Sequence, residues 1–162
     1  MVAPPEGEGL GSLNGNKQRP KVCPKSLLLS PIDGDDADEF LDDDDWVAQQ
    51  KLDGIRILCT VQEDRVLPTN RDGQESDNVD AELLDGLSAL PVGTVVDGEV
   101  IGGTYWLFDV LRVGDRDVTS AGVVERWHIL DDEISPGLSG DIEVLPLAET
   151  KKAKRDLYHR LV

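Results

Sequence analysis

The chain reads as an α+β protein built on antiparallel sheets with flanking helices. Short apolar runs of strand length, punctuated by Gly, Asp and Asn turn signals, fill the middle of the sequence from Trp46 to Leu111. Apolar residues at helical spacing occur between and after those runs, over Asp77–Leu90, Val123–Ile134 and Glu149–Val162. Successive strands are joined by hairpin-length turns, and there is no internal repeat. Together these features select antiparallel sheet with helices packed outside it.

Taken in order, residues 1–25 are rich in Gly, Pro, Asn and Lys with no apolar period, and are expected to be a disordered leader. Leu27-Leu28-Leu29 opens the ordered chain, so the domain is expected to run over 26–162. The segment Asp33–Asp45 holds nine acids and no bases and is expected to be a solvated loop, tacked down by Phe40 and Leu41. Trp46–Lys51 reads as a strand. Ile55, Ile57, Cys59 and Val61 then alternate with their neighbours as in a half-buried strand, Glu63-Asp64 turns, and Arg65–Thr69 returns. Val79, Leu83, Leu84, Leu87 and Leu90 give the next helix one apolar face, weakened by Gly86 and ended by Pro91-Val92-Gly93. Thr94–Ile101 and Tyr105–Leu111 form a hairpin about Gly102-Gly103. A helix over Val123–Ile134, a strand over Ile142–Leu145 and a last helix with Ala153, Leu157 and Leu161 on one side complete the chain.

A length of 162 residues suits one domain, and with 39% hydrophobic but only 4% aromatic residues its core must be mostly Val, Leu and Ile. No apolar run reaches the roughly 18–20 residues of a membrane span, and the N-terminus lacks the pattern of a signal peptide. Two cysteines, Cys23 and Cys59, are too few for a disulfide framework and fit no zinc spacing, which points to a reducing cytoplasmic setting. Cys59 is expected to be a buried thiol. The net charge of −17 is extreme, and about half of it is the single run Asp33–Asp45. Such acidity opposes a protein that must grip DNA phosphates, since such surfaces are usually basic. It fits either a high-salt setting or a separate role for the acidic loop.

Lys51-Leu52-Asp53-Gly54-Ile55-Arg56 carries the most chemical information. A free lysine, with a pKa of about 10.4, is almost wholly protonated at neutral pH. A nucleophilic lysine therefore needs burial or neighbouring cations to expose its lone pair. At the end of an apolar strand Lys51 is expected on the floor of a cleft, with Gly54 making the reversal and Arg56 reaching a ribose or phosphate. Read alone, the same six residues also suit an exposed hairpin turn. Asp97 and Glu99, two apart on a strand, share a face. They are costly there unless paired, hydrated or bound to metal. Glu99 is a candidate for a ribose hydroxyl or a Mg²⁺ carried by a triphosphate. Phe108 suits either stacking on a base or the core. Arg71, after Asn70, suits either a cleft or solvent.

In this order the motifs resemble the nucleotidyltransferase domain of the covalent superfamily that holds ATP-dependent DNA ligases, RNA ligases and mRNA capping enzymes. Lys51–Arg56 matches K-x-D-G-x-R. Asn70-Arg71-Asp72-Gly73 resembles the motif whose arginine meets the ribose. Asp97-Gly98-Glu99 matches the third motif, and Leu107-Phe108-Asp109-Val110 the one whose ring stacks on the base. Asn70–Gln74 and the spacing favour the DNA ligase branch, and Gln49 stands where ligases often carry a glutamate that reads the adenine amino group. The resemblance covers residues 24–162. It implies an ATP-grasp-like domain that uses ATP and Mg²⁺. It implies Lys51 as the catalytic lysine, Gln49, Asp53, Gly54, Arg56, Arg71, Glu99 and Phe108 around the nucleotide, and Asp97 with Glu99 toward the metal. AMP would pass from Lys51 to the 5′-phosphate of nicked DNA or RNA, in repair or replication. The family pattern continues with a metal-binding Glu-Gly strand and a strand of phosphate-contacting lysines, and neither precedes Val162. The domain is accordingly expected to be C-terminally incomplete and inactive or incomplete alone, with a complementing polypeptide as a candidate partner. A capping guanylyltransferase or RNA ligase fragment, a non-catalytic nucleotide-binding remnant, and an acidic interaction protein are the alternatives.

Overall fold

The computed structural model describes residues 37–161. The expected leader over 1–25 and the Leu27–Leu29 lead-in lie outside those residues. The described chain opens with a short helix, α1 (Ala37–Asp42), followed by the strands β1 (Ala48–Gln49), β2 (Ile55–Val61) and β3 (Val66–Thr69). Helix α2 (Ala81–Leu87) precedes β4 (Val95–Ile101), β5 (Thr104–Val113) and β6 (Arg116–Asp117). Helix α3 (Val123–Ile129) widens into a π turn over Leu130–Ile134, and then come β7 (Ile142–Val144), β8 (Leu147–Ala148) and α4 (Lys151–Leu161).

Six strands form the main sheet in the order β3-β2-β4-β5-β6, with β7 also on β5. Its ladders are antiparallel except for β5 with β7, which run parallel. Strands β1 and β8 pair separately, through Ala48 with Ala148 and Gln49 with Leu147. Helix α2 and the α3–π segment cover one face of the main sheet, while α1 and α4 pack together beside the small sheet. Ile57, Cys59, Val96, Tyr105, Leu107 and Val110 from the sheet are buried with Leu83, Leu87, Leu130 and Ile134. Each such aliphatic side chain, fully buried, contributes about 1.5–3 kcal/mol. Among the described residues the opposite face carries a smaller buried cluster of Leu58, Val95 and Leu111, beside which its polar residues gather.

Tyr105 ties the middle of the sheet together. Its hydroxyl, fully buried, donates to the Ile57 carbonyl at 2.8 Å. To get there the ring lies over Gly98, where a Cβ would stand 2.7 Å from Tyr105 Cε2 and collide with the Trp106 carbonyl. Cys59 is buried as expected, and burial pushes its thiol up to about 12. Only thiolate reacts with thiol reagents. In a Cys23→Ser variant, Cys59 should therefore resist such a reagent at about pH 8 until denaturant is added; rapid modification of the folded protein would contradict its placement.

The acidic segment differs from expectation. Instead of a solvated loop, its described part forms α1 and packs on the basic start of α4. Arg155 reaches Asp42 with two nitrogens, at 2.9 and 2.6 Å, and Asp38 at 3.2 Å. Lys151 stands 3.5 Å from Asp44. Arg155, by hydrogen bonding, holds the Asp42 carboxyl below the usual carboxylate range. The acidic run thus has a partner within its own chain.

Candidate functional site

The polar face of the main sheet gathers residues from three strands. Register pairs Arg56 of β2 with Glu99 of β4, and Leu58 with Asp97, so all four side chains emerge together. Arg56 donates from Nε to Asp97 Oδ1 at 3.0 Å and from Nη2 to Oδ2. Asp97 is almost wholly buried, its side chain 3% exposed against 33% for Arg56. The bond to Asp97 raises the Arg56 pKa, while burial pushes the Asp97 carboxyl up against the pull of Arg56. Both Asp97 oxygens accept hydrogen bonds from this guanidinium, so β2 is braced against β4 by Arg56. Its carbon also lies 5.4 Å over the Phe108 ring.

Phe108 reaches this face through a β-bulge. Gly98 pairs with Leu107 and Asp97 with Asp109, so Phe108 is the extra residue on β5. Leu107 remains in the core while the half-buried Phe108 ring leaves it. Asp109 is held by Arg126 of α3, at 2.7 and 2.9 Å, and Arg126 also donates to the Ala121 carbonyl. The bulge and the Asp109–Arg126 pair were not foreseen, because neither strand alternation nor helix spacing signals them.

The loop bearing Lys51 is pinned to β4 at its far end. Gly54 N donates to Glu99 Oε2 at 3.0 Å. Gly54 is needed here for space and not for the reversal: its φ is not positive, and a Cβ would collide with Ile101 Cγ1 and lie 2.6 Å from the Val100 carbonyl. Lys51 itself is not on the floor of a cleft. Its side chain is 73% exposed, 4.0 Å from the fully exposed Asp53, with a 3.4 Å contact to the Leu52 carbonyl. The strand expected over Trp46–Lys51 is limited to Ala48–Gln49, so Lys51 falls in open loop.

Gln49, on β1, is half-buried and donates through Nε2 to the Leu145 carbonyl at 3.0 Å. A carbonyl only accepts, so this contact fixes the amide nitrogen there and directs Oε1 the other way. Trp127 Nε1 shares the same carbonyl at 2.9 Å. Arg71 lies in a tight turn after β3, with its side chain exposed. Asn70 builds that turn: its Oδ1 accepts from Asp72 N and Gln74 N, its carbonyl accepts from Gly73 N, and Gly73 takes φ +76.

Among the described residues no group of three or more His, Cys, Asp or Glu is placed to hold a metal ion. Glu99, with one oxygen on Gly54, fits a Mg²⁺ that keeps most of its ligands from phosphates and water. A cavity of about 470 Å³ lies elsewhere, between β8 and α4, and none of the motif residues lines it.

This architecture is shared with solved ligases. The ligase domain of M. tuberculosis LigD superposes with a TM-score of 0.53 at 19% identity, over 69% of this chain and 43% of that one. Over the matched part the fold is similar to that of a DNA ligase domain. A mycobacterial DNA ligase D complexed with ATP and MES matches with a TM-score of 0.52, also at 19% identity, over 68% of this chain and 44% of the other. In sequence the chain is similar to the SPbeta prophage-derived DNA ligase-like protein LigB of Bacillus subtilis (strain 168). The two are 25% identical over an alignment of 129 residues that takes in 65% of this chain and 47% of the relative. No family model matches. The chain thus resembles an ATP-dependent DNA ligase adenylation domain and spans less than half the length of the relatives it matches. In this chain the Lys51–Arg56 stretch leads from the small sheet into the large one.

Proposed function

We propose that this chain is the nucleotide-binding part of an ATP-dependent DNA ligase-like adenylation domain, which takes AMP onto Lys51 for nick sealing. The observation that supports this reading best is the convergence of Arg56, Asp97, Glu99 and Phe108, from three strands, on the sheet face left free by the core. In this reading the adenine stacks on the Phe108 face not occupied by Arg56, and Gln49 Oε1 accepts from the adenine amino group. Glu99 receives a ribose hydroxyl or the Mg²⁺ that enters with the triphosphate, and Arg71 approaches the ribose from the turn after β3. Asp53 and Gly54 set the loop. The Lys51 amine, once deprotonated, attacks the α-phosphorus, an N–P bond forms and pyrophosphate leaves. AMP then passes to a 5′-phosphate, and a 3′-hydroxyl displaces it.

Exposure of Lys51 bears on the rate. Fixed positive charge packed around a developing phosphoryl transition state is worth several kcal/mol. A complementing polypeptide supplying cationic strands would provide it, and would also grip nicked DNA, or RNA, which a chain of net charge −17 repels. The chain alone is therefore slow. No helix of the described residues is long and apolar enough to cross a membrane, and a cytoplasmic setting serving DNA repair or replication fits this reading. The same exposure favours one second reading, a nucleotide-binding remnant without covalent chemistry.

Incubation with Mg²⁺ and α-labelled ATP, and separately GTP, tests these. Slow, acid-labile labelling from ATP that disappears in Lys51→Ala is the expected result. Label from GTP alone would identify a capping guanylyltransferase instead. Reversible binding with no label, indifferent to Lys51→Ala, would identify the remnant.

A further inference from the structure

Lys154 is the one described lysine whose side chain is wholly inside the protein, 1% exposed. An ammonium placed there is costly unless each of its three protons finds an acceptor. It finds three, all of them backbone carbonyls: Phe40 at 3.1 Å, Trp46 at 2.9 Å, and Asp43. Phe40 and Asp43 offer carbonyls at the C-terminal end of α1, where a cation is favoured. Trp46 lies two residues before β1, and its ring meets Phe40 edge-on at 4.8 Å.

The segment 40–46 is thereby wrapped around one ammonium, and it leads directly into the strand and loop that deliver Gln49 and Lys51. Strand β1 pairs with β8 through only two residues, too short a ladder to fix its own entry. The neighbouring bridges from Lys151 and Arg155 involve exposed or half-exposed groups and weaken in salt. Lys154 is shielded from that screening.

We propose that Lys154 is a positioning residue for Lys51: its buried ammonium fixes the backbone entering β1 and so holds the loop that carries the proposed nucleophile against the main sheet. This rests on the reading of Lys51 as the AMP acceptor. No contact of Lys154 with nucleotide is involved.

The test compares the full chain with Lys154→Met, which keeps the length and removes the donors. Amide hydrogen exchange over 43–51 should rise about tenfold or more while β2, β4 and β5 stay protected within about twofold. With labelled ATP and Mg²⁺, the maximal rate of labelling should fall about tenfold or more with the half-saturating ATP concentration changed less than about twofold. In a variant that still folds, exchange raised equally throughout the sheet would overturn the proposal. Should Lys154→Met not fold, Lys154→Gln, which retains two donors, is measured in the same way. Wild type and variant labelled at equal rates would overturn this inference alone. Wild type that takes no label on Lys51 overturns the proposed function and the inference with it.

Discussion

Gly98→Ala should destabilise the fold by about 3 kcal/mol or more, lowering the melting temperature by on the order of 10 °C. The methyl group has nowhere to go. It would collide with the Trp106 carbonyl, which is backbone, and lie 2.7 Å from the Tyr105 ring, which is itself fully buried and held by its bond to Ile57. Moving Tyr105 aside breaks that bond and leaves the Ile57 carbonyl without its hydroxyl donor. Against a total stability of about 5–15 kcal/mol this is a large fraction. The glycine of Asp97-Gly98-Glu99 is thus explained by packing on the face away from the two acids. A variant melting within a few degrees of wild type would show that β4 and β5 do not approach as described.

Arg56→Met should cost about 3–5 kcal/mol near neutral pH, because it strands the buried Asp97 carboxylate without its partner. The sign of the pH dependence is set by burial. Asp97 already has a raised pKa with Arg56 present, and removing the guanidinium raises it further. A carboxyl with a raised folded-state pKa stabilises the fold relative to neutral pH when it is protonated, and this is lost as pH rises through that pKa. The penalty of Arg56→Met should therefore shrink as pH falls through the raised value and be smallest below the ordinary Asp pKa of about 3.9. Denaturant unfolding of both proteins at a series of pH values measures it. A penalty independent of pH would mean that Asp97 is hydrated in the variant and that packing of the arginine stem was the larger effect.

How much of this the sequence disclosed depends on how local each cause is. The Gly102-Gly103 hairpin was legible because both glycines take positive φ in a two-residue connection. The alternation of Ile57, Cys59 and Val61 was legible because one face of β2 meets the core. Helix α2 begins later than Asp77, since Asp80 is still extended at ψ 151, although Val79 is buried as its place in the pattern suggested. Distant causes were not legible. Six residues of acidic α1 are helical because Lys154 and Arg155, more than 100 positions away, satisfy its carbonyls and carboxylates. The β1–β8 ladder likewise joins residues with almost the whole domain between them. At the site, the motif residues were found by type, while their contacts were not: the Arg56–Asp97 pair needs the register of β2 on β4, and the outward Phe108 needs a bulge. The exposure of Lys51 results from how soon β1 ends, a boundary that local pattern does not fix.

The most direct measurement is mass-spectrometric mapping of the chain after incubation with ATP and Mg²⁺. One AMP should be found on the peptide that contains Lys51, in an adduct lost in acid and missing from Lys51→Ala. ATP bound without AMP on that peptide, or AMP on another side chain, would contradict the account.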